Sequence, residues 1–224
     1  MAMFQQHLNG AVITSGVLTV PIYSAQIISL NEAFAVFLIG IIGGLLPDID
    51  SDNSKPLKIS FGIISIVLPF LALLAIGEAL SVLQMLLLWG VTSVCLYTLG
   101  HFLLFFTVHR GVIHSIPFGL LLGLILYYLF HVQLSYSISF AFLSGLFLFV
   151  GFIVHLLLDE IVSLNLLGFE IKNSFGTAMK LYEKNNPVGS VVVYMLIVLL
   201  IFLVPFDFDM ILQLSEKFKT LQLY

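Results

Sequence analysis

The amino-acid sequence predicts an all-α fold: a polytopic bundle of about seven transmembrane segments, followed by a short amphipathic helix at the C-terminal end. Three observations predict it. Of the 224 residues, 60% are hydrophobic and only 9% are charged, whereas a soluble domain is close to half apolar and about a quarter charged. The mean hydropathy of +1.15 would leave a soluble fold with little polar surface for the outside of its helices. The apolar residues also gather into runs near the roughly 20 residues that a helix needs to cross a bilayer. Within lipid the backbone must satisfy its own hydrogen bonds, so such runs read as helices.

The segments follow in order. Residues 10–29 are moderately apolar and carry Pro21. Residues 32–47 are apolar and rich in glycine, and residues 59–77 are strongly apolar. Residues 79–106 are long enough to span with tilt or to project beyond the lipid. Residues 116–130 are short and aromatic, and Ser115 followed by Pro117 marks a helix start there. Residues 137–158 and 188–205 complete the set. Residues 1–205 thus form one transmembrane domain. In the tail, 206–224, Met210, Ile211, Leu214, Phe218 and Leu221 recur at helical spacing, with Glu216, Lys217 and Lys219 between them. That pattern predicts a helix lying on the membrane surface.

Other features exclude function classes. The single cysteine, Cys95, permits no disulfide within the chain and reads as a small buried hydrophobe. The net charge is -4 and there is no basic block, so nucleic acid is not an expected partner. The stretch MAMFQQHLNG has no positive n-region and no A-x-A-like cleavage site, so no removable signal peptide is expected.

Seven spans would place the N-terminus and the polar stretches 48–58, 107–115 and 159–187 on one side. Lys55, Lys58, Arg110, Lys172, Lys180 and Lys184 fall on that side, and Lys217 and Lys219 on the other. The positive-inside rule then makes the polar loops cytoplasmic.

The same side collects His7, Asp48, Asp50, Asp52, His109, His114, His155, Asp159 and Glu160. Imidazole and carboxylate together suit zinc, manganese or iron, and the lack of thiolates excludes a cysteine-zinc site. In HLLLDE, His155 and Asp159 stand at i and i+4 on one helix face. A metal can bridge them, or the acid can simply hydrogen-bond the histidine. In HRGVIHSIPFG, His109 and His114 would diverge by about 140° on a continuous helix, so a turn at Arg110-Gly111 is needed to bring them together. Arg110 reads either as a clamp for carboxylate or phosphate or as a topology anchor. In PDIDSD, Pro47 stops the preceding helix. An EF-hand would need Gly at its sixth position and Glu at its twelfth, and neither is present. Asp48 and Asp50 remain open between metal ligation and an acidic turn, while Asp52 fits turn chemistry. His101 reads as a hydrogen-bonding residue of the bundle, and His131 lies on the opposite side.

The stretches PDIDSDNS, HRGVIHS and HLLLDEIVSLNLLGFEIKNSFGTAMK, with HLNGAV near the N-terminus, resemble the YdjM-like family of bacterial inner-membrane proteins, described as LexA-regulated metal-dependent hydrolases. The resemblance runs from His7 to Lys180, and the H-R-G-x-x-H-S block is its specific part. It implies a multi-pass location in the bacterial inner membrane and metal-dependent hydrolysis. Position by position it points to His7, Asp48, Asp50, His109, His114, His155 and Asp159 as metal-site residues. A fainter similarity, one of chemistry, is to zinc-dependent phospholipase C and related nucleases, which share the H-x-x-x-D pair. Their amino-terminal tryptophan ligand has no counterpart, since the only tryptophan is Trp89.

The expected function is hydrolysis at the cytoplasmic lipid edge with one or two divalent ions, zinc first and manganese second. Asp50 is expected as general base or metal bridge, and Arg110 as the group that stabilises developing charge. The stretch with Lys172, Ser174 and Lys180 reads either as a binding loop for an anionic headgroup or as an interfacial helix anchored by its lysines. The substrate would be a membrane lipid or another amphiphilic phosphoester. The rival expectation is a non-catalytic metal-binding membrane protein with a regulatory or transport role.

Overall fold

Apolar runs that cannot expose their backbone to lipid have one open route, and every regular element among the described residues is helical. The structure, a computed structural model, describes residues 4–50, 62, 65–66, 69–70, 73, 80–106, 111–163, 179–205, 212 and 216–217, with the backbone alone at 49–50 and 99–106. It divides into two compact units, one of residues 1–47 with 111–224 and one of residues 48–110.

Among the described residues, the first unit carries five α-helices. Helix α1, Phe4–Ser24, begins ahead of the expected span at residue 10, so His7 is helical and buried rather than part of a leading segment. Its first turn is polar but internally satisfied, with Gln5 Nε2 donating to Asn9 Oδ1 at 3.0 Å. The α1–α2 connection turns through Gln26 at φ 52°. Helix α2, Leu30–Leu45, starts with a capping box: Ser29 N–H donates to Glu32 Oε2 at 2.8 Å, and Glu32 N–H returns to Ser29 Oγ at 3.4 Å. A 3₁₀ turn, Leu46–Asp50, continues it.

Helix α3, Val82–Phe106, belongs to the second unit. Ser81 and Gln84 cap it reciprocally, and Trp89 Nε1 donates to the Ile66 carbonyl at 3.0 Å. Cys95 was expected to be buried. It is instead exposed on the apolar surface of α3, because that helix shows most of its sides outward, Val82, Leu86, Val91 and Val94 among them.

Helix α4, Ile116–Tyr128, begins at the expected cap, with Phe118 N–H donating to Ser115 Oγ at 3.4 Å and Pro117 in the first turn. A π-helical turn, Leu129–Gln133, ends it. Helix α5 runs from Ile138 to Ser163. Helix α6, Pro187–Leu203, is capped by Asn186 Oδ1, which accepts from Gly189 N–H at 2.9 Å.

Among the described residues, three stretches are long and apolar enough to cross a membrane: Leu30–Asp48, Ile116–Gln133 and Ile138–Ser163. Val82–Thr98 and Pro187–Leu203 are apolar but shorter. Helix α1 has the length but not the apolarity, since Gln5, Gln6, Asn9, Thr14 and Ser15 dilute it. The expected span at 59–77 and the amphipathic tail at 206–224 fall almost wholly outside the described residues. The chain is therefore a helical protein with membrane-length apolar helices.

In the first unit, α5 is central. It packs on α1 and α2 along one side and on α4 along the other, and α6 packs on α4. The α2–α5 contact is backbone-close: a Cβ added to Gly151 would run into the Gly40 carbonyl, and one on Gly43 into the Leu148 carbonyl. Small residues bring membrane helices to that separation, where van der Waals contact and not water exclusion holds them. Apolar clusters of Ile22, Val36, Phe140 and Phe147, and of Leu121, Leu124, Val193 and Ile197, fill the rest.

The helices alternate in direction, so their ends gather in two sets. The N-terminal end of α1, the C-terminal ends of α2 and α5, and the start of α4 meet at one end. At the other end Tyr127 Oη donates to the Pro205 carbonyl at 2.8 Å, and Lys217 Nζ donates to the Gln26 carbonyl at 3.1 Å.

Candidate metal centre

On α1 the buried positions are His7, Ala11, Ser15 and Ile22, one face of the helix. On α5 the buried stripe runs through Gly151, Phe152, His155, Leu156 and Asp159. At 1.5 Å per residue, His155 and Asp159 lie roughly 26 and 32 Å along α5 from Ile138, close to where a hydrocarbon layer of about 30 Å ends.

These faces bring two imidazoles and a carboxylate together. His7 Nε2 stands 3.4 Å from Asp159 Oδ1, and His155 Nε2 stands 3.9 Å from Asp159 Oδ2. The His7 and His155 rings stack, with centroids 3.6 Å apart and planes 11° from parallel. One donor atom from each of His7, His155 and Asp159 falls within 4.8 Å of the others. Tetrahedral zinc with bonds of about 2.0–2.1 Å places its donors roughly 3.3 Å apart, so the set can hold such an ion with small side-chain adjustments. All three side chains are buried.

The His155 ring is oriented from behind. Its Nδ1 lies 2.8 Å from the Gly44 carbonyl. A carbonyl can only accept, so Nδ1 carries the proton and Nε2 presents its lone pair toward Asp159. Metal-ligating histidines are held in this way, with the other ring nitrogen donating to a carbonyl or carboxylate. The residues present therefore fit a divalent ion.

His114 joins the same end. A turn over Gly111–His114 closes before it, His114 N–H donating to the Gly111 carbonyl at 3.2 Å, while the expected meeting of His109 with His114 falls outside the described residues. The buried imidazole meets His155 edge-on, with centroids 5.8 Å apart. The start of α4 is held by a strap. Ile116 N–H donates to the Lys180 carbonyl at 3.0 Å, and Ser115 and Lys180 form an isolated parallel bridge.

Lys180 itself is ion-paired with Glu183. That side-chain contact, with the Asn185 N–H donating to Glu183 Oε1 at 3.0 Å, holds the Glu183 carboxyl below its usual range. Glu183 N–H also donates to Ser190 Oγ at 3.0 Å, tying the strap to α6.

Of the expected site residues, the structure brings together His7, His114, His155 and Asp159. Asp48 sits in the 3₁₀ turn directly after Pro47, as the first residue of the second unit. Asp50 ends the same turn, and its side chain lies outside the described residues, as do His109, Arg110, Lys172 and Ser174 entirely. His131 stays excluded, since it lies at the far end of α4 with Nδ1 against the Tyr136 carbonyl at 3.1 Å. Sequence reasoning missed the Gly44 carbonyl, which leaves no trace beyond the glycine-rich run, and missed Glu183, whose signal was its i+3 spacing from Lys180.

A family model described as the YdjM inner membrane protein matches residues 1–211. The chain belongs to the YdjM inner membrane protein family. No curated protein and no solved structure matches it. The YdjM match spans every residue that converges at the centre, from His7 to Asp159, and the Lys180 strap as well. Membership of an inner-membrane family and the apolar helices of membrane length agree that YdjM chains of this kind are membrane proteins.

Proposed function

We propose that the chain is a membrane-embedded, metal-dependent hydrolase of phosphoesters, with its centre on His7, His155 and Asp159. The observation that carries the reading is the buried convergence of these three groups from α1 and α5, their donor atoms within 4.8 Å. Ionisable side chains inside a membrane bundle are costly and mark functional sites. Two nitrogens and one oxygen suit zinc, with manganese second. Three protein donors leave a coordination position open, as in catalytic sites.

When bound, a divalent ion supplies Lewis acidity and makes water a nucleophile near neutral pH. The chain's own residues do the rest. Asp159 presents its carboxylate to the Nε2 atoms of both imidazoles, and the Gly44 carbonyl holds His155 in the tautomer that can ligate. On sequence grounds His114, His109 and Asp48 are further ligands. Asp50 would take up a proton as general base or help to hold the ions, and Arg110 would stabilise charge on a phosphoryl oxygen. Lys172, Ser174 and Lys180 hold an anionic headgroup, Lys180 by exchanging Glu183 for phosphate. The level of Asp159 along α5 supports an amphiphilic substrate, a membrane lipid or lipid-linked phosphoester. The basic residues Lys55, Lys58, Arg110, Lys172, Lys180 and Lys184 support seven spans with this end in the cytoplasm.

A non-catalytic metal role, regulatory or in transport, is the second reading. It is favoured by burial, because His7 and His155 expose 1% and 0% of their surface. One experiment separates the two. Protein stripped with a chelator and reloaded with zinc or manganese is screened against phosphoesters and phospholipids, beside the His155→Ala/Asp159→Ala double variant. Turnover in reloaded wild type alone supports the enzyme. Equal, background rates in both, with metal bound only to wild type, support the non-catalytic reading.

A further inference from the structure

One helical turn from the ligands, toward the middle of the bundle, lies a layer of small residues. Ala11 follows His7 by four positions on α1, and Gly151 precedes His155 by four on α5. Helix α2 brings Gly44 between them. Ala11 is fully buried. A Cβ added to Gly44 would collide with the Ala11 methyl and lie 3.4 Å from the Gly151 carbonyl. A Cβ on Gly151 would in turn reach 2.8 Å from the Gly44 nitrogen. The backbone of α2 at Gly44 therefore touches both helices that carry ligands. The same residue gives its carbonyl to His155 Nδ1 at 2.8 Å. Packing and hydrogen bonding are independent observations, and both lead from Gly44 to the ligand set.

We propose that Gly44 is the positioning residue of the metal centre. Its missing side chain sets how closely α1 approaches, and so where His7 stands relative to His155, while its carbonyl fixes the rotation of the His155 ring. The inference rests on the metal reading above and adds to it the element that sets the spacing.

The tolerances make the effect large. Relieving a Cβ–Cβ overlap at Gly44 to ordinary contact of about 3.5–4.0 Å requires roughly 1 Å of helix displacement. A metal site accepts distance errors of about 0.2 Å. Most of that displacement would reach His7, because Ala11 and His7 share a face on adjacent turns. A glycine that served packing alone would, when enlarged, lower stability without a specific effect on ligation. Ala11→Gly provides the complementary change, since it removes the methyl that the new Cβ would strike.

The test uses the full chain in detergent, with zinc affinity read by competition against a chromogenic chelator, and with the visible absorption of bound cobalt(II) as a record of ligand geometry. Gly44→Ala should weaken zinc binding by at least about tenfold, the lower end of what loss of a ligand-orienting partner costs, and alter the cobalt spectrum. The double variant Gly44→Ala/Ala11→Gly should return to within about threefold of wild type and recover the spectrum, the non-additivity expected of touching residues. Unchanged zinc affinity in Gly44→Ala overturns the proposal. So does a loss that Ala11→Gly does not recover. If Gly44→Ala does not fold, Ala11→Ser, which enlarges the same contact from the α1 side, takes its place: weaker zinc binding with an altered cobalt spectrum in the folded variant supports the proposal, and unchanged affinity and spectrum overturn it. Wild type that binds no zinc removes the metal reading itself, and the proposal with it, whereas a failure confined to the variants leaves that reading standing.

Discussion

The imidazoles of His7 and His155 lie face to face, 3.6 Å between centroids, although they come from helices α1 and α5, far apart in the sequence. Both rings turn Nε2 toward one carboxylate, Asp159. Two imidazole nitrogens and a carboxylate from two helices therefore face one point, a donor set that suits a divalent ion.

Purified wild type should carry roughly stoichiometric divalent metal when prepared with zinc or manganese. Asp159→Ala removes the carboxylate that faces both rings and should weaken binding by more than the roughly 10- to 100-fold lost with an outer partner. Elemental analysis after gel filtration checks this. Equal metal content in wild type and Asp159→Ala would remove Asp159 from the centre.

Bound metal should also stabilise the fold. A ligand at about 100 times its dissociation constant contributes roughly 2.7 kcal/mol. Adding a chelator should therefore lower the unfolding temperature of wild type, while His155→Ala, already without metal, should hardly respond. A chelator shift of equal size in both proteins would place the stabilising metal elsewhere.

The legible part of the design was what repeats at helical spacing. His155 and Asp159 could be paired because i and i+4 share a face, and the start of α4 could be read from Ser115 and Pro117. The position of His7 could not. Gln5, Gln6 and Asn9 lower the hydropathy of the first turn, so the run seemed to begin at residue 10, yet glutamine is a good helix former and the turn is satisfied by the Gln5–Asn9 bond. The acceptor on Gly44 was hidden for a different reason: a backbone carbonyl has no letter of its own. Cys95 was misplaced because an apolar run does not say which of its faces meets lipid.

Gly151→Leu should test the close α2–α5 contact. The side chain has no room beside the Gly40 carbonyl, and overpacking costs about 1–3 kcal/mol or more. A fall in unfolding temperature with parallel loss of metal is expected. A variant as stable as wild type would show that α2 and α5 do not pack at backbone distance.

Acid should release the strap. The Glu183 carboxyl is held below its ordinary value of 4.5 in the folded protein by Lys180 and then by the Asn185 N–H. A depressed carboxyl stabilises the fold fully above its unfolded value, and the contribution fades as pH falls through the folded one. Glu183→Gln should therefore be less stable than wild type at neutral pH, and the gap should close at pH values below the ordinary 4.5. Unfolding temperatures measured across that range check it, and a gap that persists undiminished in acid would assign the loss to something other than charge.

Orientation has its own measurement. A cytoplasmic reporter fused near residue 165, just beyond α5, should be active, and a periplasmic reporter at the same point silent. The opposite pattern would turn the proposed topology over.

The unit that holds the candidate metal centre is not continuous in the chain, since residues 48–110 belong to a second compact unit and lie in sequence between its two parts. This imposes an order of manufacture. At roughly 5–20 residues per second, a ribosome completes Asp159 about 8–30 seconds after His7. During that interval α1 and α2 are present without α5. Their glycine faces, and the Gly44 carbonyl, must wait in the translocation machinery or in lipid for a partner still being synthesised. The candidate donor set is therefore complete only late in biogenesis, and a chain stalled before α5 would expose an unfinished small-residue seam to any neighbouring helix.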